Sequence, residues 1–175
     1  MTGEDPAARQ ENAHAEAQRK YFGETQPNKL TFFSPMEGSA PEVVFPGVDH
    51  QEIMQVPEEI RENVDLNKWY QKRFYARPLV NVGGDEPMSV IHVEYGPGAH
   101  IPAHTHDAPQ VIILLRGSVF QGKREITAGN GYYTPANVRY AVTAGPEGAS
   151  MVEVRRCTLH DYDTTWVESN PARWT

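Results

Sequence analysis

From residue 88 onward hydrophobic and polar positions alternate in short runs separated by glycine. Met88 to Tyr95 alternates, Val111 to Leu115 is an unbroken aliphatic run, and Val119-Phe120 follows a Gly117-Ser118 turn. Ile126 then leads to Gly129-Asn130-Gly131, Val138 to Thr143 forms another strand, and Met151 to Val154 returns after a turn at Gly145-Pro146-Glu147-Gly148. Alternation puts every second side chain on one strand face, and short strands at even spacing with glycine turns predict an antiparallel barrel or sandwich. Just upstream, Trp69 to Val82 is rich in aromatics that read as core or dimer packing. Its second half predicts a strand entering the core, closed by Gly83-Gly84-Asp85.

Further toward the N-terminus the period changes. Val56-Pro57-Glu58-Glu59 opens a helical stretch with Ile60 and Val64 on one face, yielding near Asp65. Asp5-Pro6 starts another helix that runs through Lys20 and stops at Gly23. Its apolar positions are mostly alanine, so it reads as a solvated arm, with docking on a partner subunit through Tyr21 and Phe22 as the alternative. Gln26 to Gly47 is irregular, with one short strand around Leu30-Thr31-Phe32-Phe33. The resulting organisation is an arm over 1–45, a helical and irregular lead-in over 46–74, a β-barrel over 75–157, and a tail over 158–175 that packs on the outside.

Composition narrows the function classes. A net charge of -7, without a run of lysine or arginine, argues against nucleic acid or an anionic membrane as partner. The longest aliphatic run, Val111 to Leu115, is far shorter than the roughly 20 residues of a membrane helix. The polar N-terminus has no signal-peptide core, so a soluble cytoplasmic protein acting on a small molecule is expected. The single cysteine, Cys157, allows neither an internal disulfide nor a thiolate cluster, and any metal must use histidine and oxygen ligands.

The candidate chemistry lies between Gly98 and Gly117. In an extended strand His104 and His106 point the same way, and Gln110, beyond a turn at Ala108-Pro109, offers a carbonyl oxygen that can join them around a metal ion. The same pair satisfied by hydrogen bonds alone is the other reading. His92 and His100 bring four of the seven histidines within fifteen positions, which indicates a polar pocket. Tyr132 and Thr134 share one parity and Tyr140 shares parity with Val138 and Val142, so some of these point into the barrel, whereas Arg139 points out. Glu153 and Arg155 alternate on the last strand; they read as a solvated face, with an inward Glu153 acting as general base as the alternative.

These residues resemble the cupin family. Gly98, His104, His106 and Gly117 match the spacing of the first cupin motif, G-x5-H-x-H-x3 or 4-E-x6-G, with Gln110 where the glutamate stands. Gly129 and Pro135 fit the second motif, G-x5-P-x-G-x2-H-x3-N, but Asn137 replaces its glycine, Tyr140 replaces its histidine, and Gly145 lies just past its final position. The resemblance implies an all-β, cupin-type double-stranded β-helix, or jelly-roll barrel. It also implies a divalent ion, Fe(II) first and Mn, Ni or Zn otherwise, on His104, His106, Gln110 and Tyr140. An ion held by neutral ligands keeps its full charge and is the stronger Lewis acid.

The stretches THDAPQVIILLRG and YAVTAGPEGA resemble the small cupins that include dihydroxyacetophenone dioxygenase. On that resemblance the expected activity is dioxygenase cleavage of a carbon-carbon bond in a hydroxyketone-like substrate, with Tyr140, Glu153 and His100 as catalytic candidates. Lewis-acid lyase, isomerase or cyclase chemistry is the alternative. Others are a sensor similar to the zinc-binding half of certain anti-sigma factors, or a cupin that binds a ligand without metal. Open jelly-roll edges need covering, so a homodimer is expected.

Overall fold

A computed structural model of the chain describes Glu16, Arg19 and residues 24–26, 29–35 and 55–174. The helix expected over residues 5–20 lies outside these residues except for Glu16 and Arg19, which are helical. Within the described residues 55–174, two helices precede the sheet. In α1 (Glu58–Asn63) two glutamates occupy the first turn and Ile60 is buried. The chain leaves it at Val64, and Asp65 starts a second helix, α2 (Leu66–Arg73), by accepting the Lys68 backbone N–H at 3.0 Å. The aromatic stretch is therefore helical in its first half.

Eight strands follow, β1 (Phe74–Val82), β2 (Met88–Tyr95), β3 (His100–His106), β4 (Gln110–Gln121), β5 (Arg124–Thr127), β6 (Gly131–Thr134), β7 (Tyr140–Arg155) and β8 (Thr164–Trp166). They form one antiparallel sheet whose central path runs β1-β2-β7-β3-β8, with β4 pairing β5, β6 and β7. The long strands β4 and β7 pair from Gln110↔Arg155 to Phe120↔Thr143, and the shorter strands attach to their two ends. This arrangement is the curled cupin-type jelly roll expected from the sequence.

Two expected turns are bends inside continuous strands. Gly117-Ser118 sits within β4 and Gly145 to Gly148 within β7, and the register between them shifts at Leu114/Arg116 and Gly117/Val119. Gly117 has φ 70°, and a Cβ there would lie 2.0 Å from the Gly148 carbonyl oxygen. The glycines let the two long strands cross closely and curl, and they do not reverse the chain.

The core gathers Ile91, Val93, Ile101, Ile112, Leu114, Val119, Val142 and Met151 inside the curl. Ile60, Leu66 and Trp69 from the lead-in and Trp174 from the tail complete it. The lead-in and tail thus supply part of the main core, and Ala108, Cys157 and Tyr162 form a smaller cluster beside it. Among the described residues no helix is long and apolar enough to cross a membrane.

Candidate metal centre

β3 presents His104 and His106, separated by Thr105, on one face. Register places His104 between Tyr140 of β7 and Trp166 of β8, and His106 opposite Thr164. The two imidazole centroids are 4.7 Å apart with planes at 67°. Tyr140 and Trp166 lie 4.5 and 5.0 Å from the His104 ring, and Tyr162 lies 4.3 Å from the His106 ring.

Both imidazoles are held from behind. His104 Nδ1 is 2.6 Å from the Pro102 carbonyl oxygen, which only accepts, so Nδ1 carries the proton and Nε2 keeps its lone pair. His106 Nδ1 is 3.0 Å from Thr164 Oγ1, which can accept in the same way. The Asp163 backbone is a further hydrogen-bond partner of the His106 ring. Burial lowers the His104 pKa to about 4. Burial, then the neighbouring His104 and Arg155, lowers that of His106 to about 2. Both rings are neutral at ordinary pH, as metal ligation requires.

Gln110 is 2 % exposed and hydrogen-bonded at both ends of its amide. Its Oε1 accepts from Arg155 Nε at 3.2 Å and from the Tyr162 hydroxyl at 3.0 Å, while its Nε2 donates to the Tyr140 hydroxyl at 2.5 Å. Burial, reinforced by the Glu153 carboxylate, holds the Tyr140 pKa well above its usual value, so Tyr140 is a neutral phenol.

Glu153 and Arg155 are inward, at 7 % and 8 % exposure, and form an ion pair. This corrects the solvated-face expectation. Alternation fixes which residues share a face, but a polar pocket turns the polar set inward. The Arg155 guanidinium also stacks on the Tyr162 ring, 3.5 Å from its centroid. Tyr132 faces the same interior, and burial together with Glu153 raises its pKa.

The structure therefore brings together His104, His106, Gln110, Tyr140 and Glu153 of the candidates. His100 lies at the opposite end of β3, half-buried, with Nδ1 2.8 Å from Thr143 Oγ1. His92 is on the opposite face of β2 from the core residues Ile91 and Val93, and its Nε2 is 2.8 Å from Ser150 Oγ. Arg155, Tyr162, Thr164 and Trp166 are the residues that sequence reasoning left out of the site. The last three come from the tail, which lines the pocket as well as packing on the barrel.

This donor set suits a first-row divalent ion in one respect: it offers two neutral imidazole nitrogens with fixed tautomers on one face. No group of three or more histidine, cysteine, aspartate or glutamate side chains is gathered for a metal among the described residues. Gln110 Oε1 already accepts from two donors, Arg155 and Tyr162.

Strand order and the bends in β4 and β7 give the chain a cupin-type jelly-roll fold, with the histidine pair of β3 on one face. No family model matches the sequence. The chain is similar to the dimethylsulfoniopropionate lyase DddW of Ruegeria pomeroyi, at 33% identity over 78 residues. That match spans 41% of this chain and about half, 51%, of the relative. Solved structures with a similar course include a cupin-like protein from Thermotoga maritima, at 22% identity over 58% of this chain and 81% of the other, with TM-score 0.48. Oxalate decarboxylase from Bacillus subtilis matches at 20% identity over 55% of this chain and 28% of the other, with TM-score 0.47.

Proposed function

We propose that the chain is a metal-dependent cupin enzyme that breaks or rearranges a bond in a small organic molecule by proton transfer, as a lyase does. The observation that carries this reading is the pair of buried neutral imidazoles on one face of β3, each held at Nδ1, by the Pro102 carbonyl and by Thr164 Oγ1. His104 and His106 would hold a first-row divalent ion, Fe(II) in the first instance or Mn, Ni or Zn. When bound, such an ion supplies Lewis-acid polarisation of a substrate carbonyl or hydroxyl. Glu153 is the carboxylate of the pocket, fixed by Arg155, and is the group suited to accept a proton from substrate. Tyr140 and Tyr132, both kept protonated by burial, are hydrogen-bond donors to the substrate. Tyr162 and Trp166 wall the pocket and limit water. Similarity to a lyase supports elimination chemistry over the oxygen chemistry that the first-motif wording suggests.

Metal analysis of protein purified without chelators is the first test, with close to one equivalent expected. Less than about a tenth of an equivalent of any transition metal would overturn the reading. Turnover of α-hydroxyketones, β-diketones and short carboxylates bearing a leaving group is then followed with an oxygen electrode. Product without oxygen uptake supports the lyase; stoichiometric uptake transfers the site to dioxygenase chemistry.

A further inference from the structure

The hydrogen bonds around Gln110 have a polarity that chemistry fixes. Arg155 Nε can only donate, and it lies 3.2 Å from one end of the Gln110 amide, so that end is the oxygen. The Tyr162 hydroxyl, 3.0 Å from the same oxygen, is then a second donor. The amide nitrogen must be the end facing Tyr140, at 2.5 Å, and an amide N–H cannot accept. The Tyr140 oxygen is therefore the acceptor of this bond. A phenol has a single hydrogen, and with its oxygen accepting from Gln110 that hydrogen points elsewhere. No described residue takes it, although Glu153 and the Tyr132 hydroxyl are close enough to be felt electrostatically. The Tyr140 ring packs beside both imidazoles, with centroids 4.5 and 5.8 Å away.

We infer that Gln110 is a positioning residue that turns the Tyr140 hydroxyl hydrogen into the pocket, where it donates to a substrate oxygen that gains negative charge. The inference rests on the proton-transfer reading above and assigns a substrate class to it: molecules with a carbonyl or carboxylate oxygen beside the bond that breaks. It also gives the glutamine a role of its own. A glutamate at this position would have only acceptor oxygens. One would keep the Arg155 and Tyr162 bonds, and the other would draw the Tyr140 hydrogen to itself. The exchange of one amide for one carboxylate thus inverts a hydrogen bond and withdraws the pocket's donor.

Ultraviolet resonance Raman spectroscopy reads this directly in metal-free protein. The intensity ratio of the tyrosine Fermi doublet rises when a phenol oxygen accepts and falls when its hydroxyl donates. Subtracting the Tyr140→Phe spectrum isolates Tyr140 among the eight tyrosines. An acceptor signature is expected in the native protein and in Tyr162→Phe, where Arg155 still fixes the amide, and a donor signature in Gln110→Glu. A donor signature in the native protein overturns the inference, whether or not the protein proves to be an enzyme. Acetate titrated into Zn(II)-loaded protein tests the oxyanion role. Tyr140→Phe and Gln110→Glu should each weaken acetate about tenfold or more, the scale of one charge-assisted hydrogen bond. In a Tyr140→Phe background the Gln110→Glu effect should shrink several-fold. Acetate that binds the native and Tyr140→Phe proteins alike, or binds neither, overturns that role.

Discussion

Thr164 Oγ1 stands 3.0 Å from His106 Nδ1, so the last strand of the chain holds one ring of the histidine pair from behind. A partner at Nδ1 fixes both the tautomer and the orientation of a metal-binding imidazole, and its loss typically costs about 10- to 100-fold in metal affinity. Thr164→Val, nearly isosteric, is expected to weaken Zn(II) by that factor in a chelator competition while leaving the thermal midpoint within a few degrees. His104→Ala should abolish binding altogether. Native affinity in the threonine variant would show that His106 is oriented by other contacts.

Stability should fall on mild acidification. His104 and His106 titrate at about 4 and about 2 when folded, against 6.5 for the free side chain. Below pH 6.5 the unfolded chain therefore binds more protons than the folded one. Stability from this source is complete above about pH 6.5 and is lost as pH falls toward the folded values. Each ring contributes about 1.4 kcal/mol per pH unit in that window. Urea unfolding of metal-free protein should lose roughly 2–4 kcal/mol from the pair between pH 7 and pH 5. The double variant His104→Asn, His106→Asn should lack this part of the slope.

Trp174 lies next to the end of the chain yet is 1 % exposed, packed against Trp166 at 4.7 Å and Trp69 at 5.2 Å. Trp174→Ala empties a large core position and should cost about 3–5 kcal/mol by denaturant titration. Because Trp166 in turn lies against His104, the same variant should weaken metal binding without removing a ligand.

Two glycines separate backbone conformation from crowding. Gly122 has φ 60° with nothing within 4 Å of an added Cβ, so Gly122→Ala should cost only about 1–2 kcal/mol. At Gly117 the same change also drives a Cβ into the Gly148 carbonyl, where β4 and β7 cross. Gly117→Ala should therefore be markedly more destabilising, or yield no folded protein; equal losses at the two sites would mean that the crossing can relax.

Much of the barrel was legible because local alternation is a local property. β2 was read with its bounds, and the end of β1 at Val82 was correct. The histidine pair followed from spacing alone. Glycine was the weak guide, since φ above zero serves a reversal and a bend equally, and only pairing partners distinguish them. At Gly117 and across Gly145 to Gly148 those partners lie more than twenty residues away in sequence. The site's ion pair was hidden for a related reason, because the parity of Glu153 and Arg155 does not say which face is inside. The tail carried a usable signal: Tyr162, Thr164 and Trp166 are spaced two apart, the pattern of a strand that lays one face on the pocket.

All three tryptophans of the chain belong to one aromatic column, Trp69 on Trp174, Trp174 on Trp166, and Trp166 on His104. The protein's entire indole emission thus originates within a few ring contacts of the His104 imidazole. A paramagnetic ion held at His104 would darken that emission by energy and electron transfer, whereas Zn(II) would leave it bright. The fluorescence of the native chain would in this way be an intrinsic optical gauge of an ion bound beside His104.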